Sequence, residues 1–162
     1  MQLLFSDGVL CDFGIVLPEQ LATFPHGAGR YLWRKLEWEA IDLSVSEPAQ
    51  KPTQEQIEEA LFHLYVGLLR EHRGEQAAAF EEIQGKAAQC VLAFLQGDRA
   101  DTFSPLRRAE QSVSSDTLKQ LMPGYGQSSQ AAEAMLRLLA KARELPLYRA
   151  VGNLLREIAL TE

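Results

Sequence analysis

Two amphipathic helical patterns across residues 53–95, joined at Arg70-Glu71-His72-Arg73-Gly74-Glu75, constrain this chain more than any other stretch. Thr53 with Gln56 three residues on is a capping box, which predicts a helix start at Thr53. Ile57, Leu61, Leu64, Tyr65 and Leu68 follow helical spacing on one face, and Ala60 and Leu69 widen it. Gly74 is the expected helix end. A second helix over about 75–95 aligns Ala79, Phe80, Ile83, Ala87, Cys90, Val91 and Phe94. A link this short makes the two helices antiparallel neighbours, so the chain is committed to helix-on-helix packing.

The segments after this pair read as further helix. Ser104 as N-cap with Pro105 at the first position opens a short one. Ser114-Ser115-Asp116 starts another, which stops near Pro123-Gly124-Tyr125-Gly126, and Ser128 or Ser129 caps the next, holding Ala132, Met135, Leu136, Leu138 and Leu139. A terminal helix follows Pro146 with Leu147, Val151, Leu154, Leu155 and Ile158. The segments before it differ. Leu3-Leu4-Phe5 and the run from Val9 to Leu17 flank Ser6-Asp7-Gly8, a hairpin signal, and residues 30–38 alternate enough to read as a third strand. The expected architecture is mainly α: an antiparallel bundle of four to six helices with a small N-terminal hairpin or three-strand appendage. The domain boundaries read 1–43 for the appendage, 44–53 for a linker containing Pro48 and Pro52, and 54–162 for the bundle.

Charge and composition exclude several functions. With a formal charge of −6 and no long block of like charge, the 162-residue chain is not expected to bind nucleic acid. No run of about 18 apolar residues occurs, and the first residues do not form a secretory leader; a cytoplasmic protein is expected. Cys11 and Cys90 lie in apolar patterns and read as reduced, buried thiols. His26, His63 and His72 have no partner at metal-ligand spacing, so no metal site is expected from them. No Gly-x-Ser-x-Gly is present, which removes support for a serine hydrolase.

Four features remain as candidate sites. Asp12 interrupts an otherwise apolar strand: it either faces water on an edge strand or has a charged role. Arg73 and Glu75 flank the turn between the long helices, which is either a solvated turn or a ligand contact. Tyr65 lies about two turns before that link and Gln84 about two and a half after it, so both could reach the same region. Gly85 costs about 1 kcal/mol in a helix, so either another element packs close there or a ligand approaches.

The ordered set Leu3-Leu4-Phe5-Ser6-Asp7-Gly8-Val9-Leu10-Cys11-Asp12-Phe13, Gly29-Arg30-Tyr31-Leu32-Trp33, Leu64-Tyr65-Val66-Gly67-Leu68, His72-Arg73-Gly74-Glu75, Ile83-Gln84-Gly85 and Phe103-Ser104-Pro105-Leu106-Arg107-Arg108-Ala109-Glu110-Gln111 resembles the C-terminal portion of nucleotidyltransferases of the DNA polymerase β superfamily. It is most similar to the lincosamide and aminoglycoside type of antibiotic resistance. The resemblance implies that Asp12 matches a third active-site carboxylate, and that Tyr65, Arg73, Glu75 and Gln84 border an acceptor pocket built by the helical domain. It also exposes a departure. The chain carries no Gly-Ser followed by Asp-x-Asp, and no Asp-x-Asp at all. A single carboxylate cannot clamp the metal ions that neutralise a reacting triphosphate. The implied protein is therefore inactive alone and holds no cofactor by itself, with Mg and ATP entering only beside a supplied catalytic half. The doubly apolar hairpin would pair with a second copy or a separate catalytic chain, and a small antibiotic-like molecule would be the acceptor. The competing expectation is a non-catalytic helical module for protein interaction or ligand binding.

Overall fold

A computed structural model describes residues 2–12, 14–15, 17–21, 30–35, 53–101 and 104–160. The chain divides into two units, Met1–Gln50 and Lys51–Glu162. Of the linker expected over 44–53, residues 44–52 lie outside the described residues, and Thr53 is already helical.

In the N-terminal unit, β1 (Gln2–Leu4) and β2 (Leu10–Asp12) pair antiparallel with Leu3 opposite Cys11. Gly8 closes the turn between them at φ +85°, a conformation that glycine adopts without a Cβ clash, and Asp7 Oδ1 accepts from the Val9 amide at 3.1 Å. Strand pairing stops at Asp12, well short of the run read to Leu17, and Gly14, Ile15 and Leu17 belong to no strand. A short helix α1 (Pro18–Leu21) follows, its first turn tied by Gln20 Oε1 to the Leu17 amide. The third strand expected over 30–38 is not formed at residues 30–35, and residues 36–38 lie outside the described residues.

The second unit is helical throughout its regular structure. Helix α2 (Thr53–His72) ends where Gly74 takes φ +80°: the Glu75 amide donates to Arg70 O and the Gly74 amide to Glu71 O. This pairing satisfies two carbonyls that the helix end would otherwise leave open. The chain returns as α3 (Gln76–Phe80), a π-helical segment (Glu81–Ala87) and α4 (Ala88–Gln96). The apolar spacing alone predicts one uniform helix here. The wider π turn instead buries three consecutive residues, Glu82, Ile83 and Gln84.

The helix expected from Ser104-Pro105 does not form. Residues 105–108 are a turn and only Ala109–Gln111 is a 3₁₀ helix, because Arg108 adopts a left-handed φ of +58° that no helix can propagate. Helix α5 (Ser115–Leu121) starts at its expected cap, with Ser114 Oγ accepting from the Thr117 amide at 3.2 Å. Helix α6 (Ser128–Leu138) has Gln127, not Ser128 or Ser129, at its N-cap. Ser128 is instead fully buried, and Ser129 Oγ donates to Glu71 Oε2 at 2.7 Å. Helix α7 (Pro146–Ala159) opens with Pro146 in its first turn, where the missing amide hydrogen costs nothing.

Helix α2 is the centre of this unit, packed against α3, the π segment, α4, α6 and α7. Leu61, Leu64 and Leu68 are fully buried among Ile83, Val91, Leu92, Leu121, Met135 and Val151. Burial of each such leucine contributes about 1.5–3 kcal/mol. Tyr148 on α7 donates to Leu136 O of α6 at 3.1 Å, fixing the outer pair.

Candidate functional site

The α2–α3 link gathers charge because its helix-ending geometry forces Arg73 and Glu75 out of the helical hydrogen-bond pattern. Arg73 Nε donates to Glu75 Oε1 at 2.7 Å and Nη2 to Oε2 at 3.2 Å, a two-point pair open to solvent. The hydrogen bond to Arg73, together with its positive charge, holds the Glu75 carboxyl below the ordinary carboxylate range despite the opposing desolvation. Glu75 precedes α3, yet its side chain caps no amide there; the carboxylate is engaged by Arg73.

Gln84 is expected near the Arg73–Glu75 turn, but its contacts are with the loop before α6. It is buried, and its amide meets the backbone of a single distant residue at both ends: Nε2 donates to Gly124 O at 2.7 Å, while Oε1 accepts from the Gly124 amide at 2.9 Å. Gly124 sits at φ +124°, so its backbone faces Gln84 in a conformation side-chain-bearing residues rarely adopt. This latch holds the loop before α6 and places the Tyr125 ring 6.1 Å from that of Phe80, both partly or largely exposed. The Ser129–Glu71 bond brings the start of α6 beside the end of α2. Arg73, Glu75, Phe80 and Tyr125 therefore share one end of the bundle.

Tyr65 is half-buried against the hydrophobic core. No hydrogen bond or ion pair among the described residues joins Tyr65 or Gln84 to the Arg73–Glu75 pair. The side chain of Asp12 lies outside the described residues; its backbone pairs with Gln2. Among the described residues no element packs against Gly85, since a Cβ there would meet only Glu81 Cγ at 4.0 Å. The close approach is at Gly67 on the facing helix, where a Cβ would overlap Ile83 Cγ1.

The sequence pattern conceals a densely charged cluster. Glu82, on the π segment, is buried; its Oε2 lies 2.8 Å from His63 Nδ1, and its Oε1 2.9 Å from Lys86 Nζ and 3.7 Å from Arg70. Burial alone would raise the Glu82 carboxyl, but hydrogen bonds from Lys86 and His63 outweigh it and hold it below the ordinary value. Only the Lys86–Glu82 spacing of four is visible in sequence. Because the folded state binds the Glu82 proton less readily than the unfolded chain, the ionised group stabilises above the unfolded pKa, and that contribution is lost as pH falls through the lowered folded value. Glu82→Gln should therefore lower the urea midpoint at pH 7, and the gap to the parent protein should shrink as the buffer is taken to about pH 3. A gap that is constant with pH would remove the carboxylate from this role.

Compared with family models, with curated proteins and with solved structures, the chain matches none. Among the described residues, no group of three or more His, Cys, Asp or Glu side chains is placed to hold a metal ion, and no helix is long and apolar enough to cross a membrane.

Proposed function

We propose that Lys51–Glu162 is the acceptor-substrate side of a cytoplasmic, nucleotidyltransferase-like protein of the lincosamide or aminoglycoside type, one that transfers no nucleotide by itself. The reading rests on the ordered motifs. The observation that carries it is the Gln84–Gly124 latch, which presents the Tyr125 and Phe80 rings at the bundle end bearing Arg73 and Glu75. Exposed aromatic faces take the apolar face of a sugar ring, and a carboxylate held ionised accepts from an ammonium or hydroxyl group. An amino sugar combines both chemistries. In this assignment Glu75 and Arg73 contact the acceptor, Gln84 positions the Tyr125 loop, and Tyr65 backs the site from the core. The described residues contain no set of acids fit for the metal ions of nucleotidyl transfer.

The hairpin supports a partner chain. Leu3, Phe5, Val9, Ile15 and Leu17 are all exposed, and a two-stranded hairpin is marginal in water without cover. A second copy or a catalytic chain pairing with it would cover these groups, and the protein should scatter light as a dimer or larger species. The same exposure favours the alternative of a purely structural interaction module. A thermal-shift panel separates the two. Lincosamides or aminoglycosides should raise the melting temperature saturably, Mg-ATP should not, and Tyr125→Ala and Glu75→Gln should weaken the antibiotic effect. Indifference to every antibiotic would favour the interaction module, and label transfer from ATP by this chain alone would overturn the claim of inactivity.

A further inference from the structure

The chain carries a net charge of −6, yet one small cavity in it is lined by three arginines. Arg99, Arg107 and Arg108, all three exposed, line an open surface cavity of about 250 Å³ with Gln111 and Ser112, and Asp101 is the single carboxylate on its wall. The backbone builds this convergence. Arg99 ends a 3₁₀ turn (Gly97–Arg99) after α4, and the chain then doubles back through the turn at 105–108. Gln96, buried on α4, anchors that turn by donating from Nε2 to Pro105 O at 3.1 Å, and buried Ala109 fixes the 3₁₀ helix that follows. Arg108 is the one non-glycine residue among those described with a positive φ, and it lines the cavity from that strained position.

Asp101 offsets only part of this positive charge. Its Oδ1 accepts from the Ser104 amide at 3.4 Å and lies 3.7 Å from Arg107 Nη1. The guanidinium groups of Arg99 and Arg108 make no hydrogen bond or ion pair among the described residues. Like charges held together in this way repel, and the arrangement is stabilised by a multivalent anion that accepts from several guanidinium forks at once. The volume falls below the usual range of drug-sized pockets, so it suits a small ion or one terminal group of a larger ligand.

We propose that the cavity of Arg99, Arg107 and Arg108 binds a phosphate-class anion, either free inorganic phosphate or the phosphoryl group of a small monoester. Gln111 and Ser112 supply neutral polar groups at the rim, and Asp101 sets an upper limit on affinity by its like charge toward the ligand. The assignment is independent of the acceptor reading above, since none of its residues belongs to the Arg73–Tyr125 end of the unit.

The full chain in phosphate-free buffer should be titrated calorimetrically with inorganic phosphate, with glycerol phosphate and with ATP, at ionic strength matched by sodium chloride. Saturable binding of phosphate and glycerol phosphate alike assigns the site to the phosphoryl group; binding of glycerol phosphate without phosphate assigns it to an esterified ligand, and binding of ATP alone, a triphosphate and not a small monoester, would overturn the proposal. Arg99→Gln and Arg108→Asn should each weaken binding about tenfold, the loss of one charge-assisted contact. Asparagine tolerates the left-handed backbone, so the second variant tests the guanidinium without unfolding the turn. Asp101→Asn keeps an acceptor for the Ser104 amide, and it should tighten binding several-fold. Heats no larger than those of matched chloride for all three ligands, or binding unaltered in both arginine variants, would overturn the proposal. Tyr125→Ala should leave phosphate binding unchanged, which keeps this test separate from the acceptor test.

Discussion

Gly67→Ala should destabilise the helical unit by about 2 kcal/mol, close to 8 °C in melting temperature, although alanine is the better helix former. The added Cβ would overlap Ile83 Cγ1 and lie 2.9 Å from its Cδ1 and 3.2 Å from Glu82 Cβ. The two isoleucine contacts are impossible without movement, and Cγ1 is near the root of the side chain, so a rotamer change cannot clear it cheaply. Helix α2 must move away from the π segment, and overpacking of this kind costs about 1–3 kcal/mol or more, against about 1 kcal/mol regained from helix propensity. Two companion variants sharpen the test. Gly85→Ala, on the facing π segment, has open space for its Cβ and should stabilise by about 0.5–1 kcal/mol. Ile83→Ala combined with Gly67→Ala should cost at least about 1 kcal/mol less than the sum of the single changes, since the shortened side chain makes room for the new methyl. Urea denaturation measures all of these variants. Equal stabilisation by the two glycine replacements would show that the helices are not in contact at Gly67.

Gln84→Ala should cost about 2–4 kcal/mol, because it removes two hydrogen bonds at once and leaves the Gly124 amide and carbonyl without their partner. The Gly124 amide hydrogen should then exchange far faster than in the parent protein, and Tyr125 should lose its fixed position beside Phe80. Gln84→Glu gives a more specific signature. An ionised carboxylate at this position still accepts from the Gly124 amide but cannot donate to its carbonyl, whereas a protonated one can do both. Folding would therefore raise the pKa of the introduced carboxyl, and the variant should gain stability as the pH falls through the carboxylate range. That trend has the opposite sign to the one expected from Glu82. Unchanged Gly124 exchange in Gln84→Ala would mean that the loop is held by something other than the latch.

These predictions rest on contacts of unequal visibility in the sequence. The existence of α2, its end at Gly74, the cap at Ser114 and the start near Pro146 are readable, because each depends on residues within one or two turns of each other. The same local rules fail at Ser104-Pro105, where cap and proline are both present. There the left-handed backbone of Arg108 ends the helix before it begins, and nothing in the residue type announces it. They also place the close packing at Gly85. Of the two expectations for this glycine, a close second element or an approaching ligand, the first fails at Gly85, which lies in the π turn, while the packing contact lies on Gly67.

Of the candidate site, sequence proximity brings out Arg73 and Glu75, two residues apart and joined as a pair. It cannot bring out the rest. Glu82 meets His63 across 19 positions, Gln84 meets Gly124 across 40, and Glu71 meets Ser129 across 58. Helix period and capping are properties of a few neighbouring residues, so the sequence by itself determined that this is a mainly helical chain built on α2 and its returning partner. Which polar side chains meet depends on how the helices cross and where the π turn rotates the face of one against the other. That rotation turned Gln84 inward toward Gly124, set Glu82 against His63, Lys86 and Arg70, and was decided only by the tertiary structure.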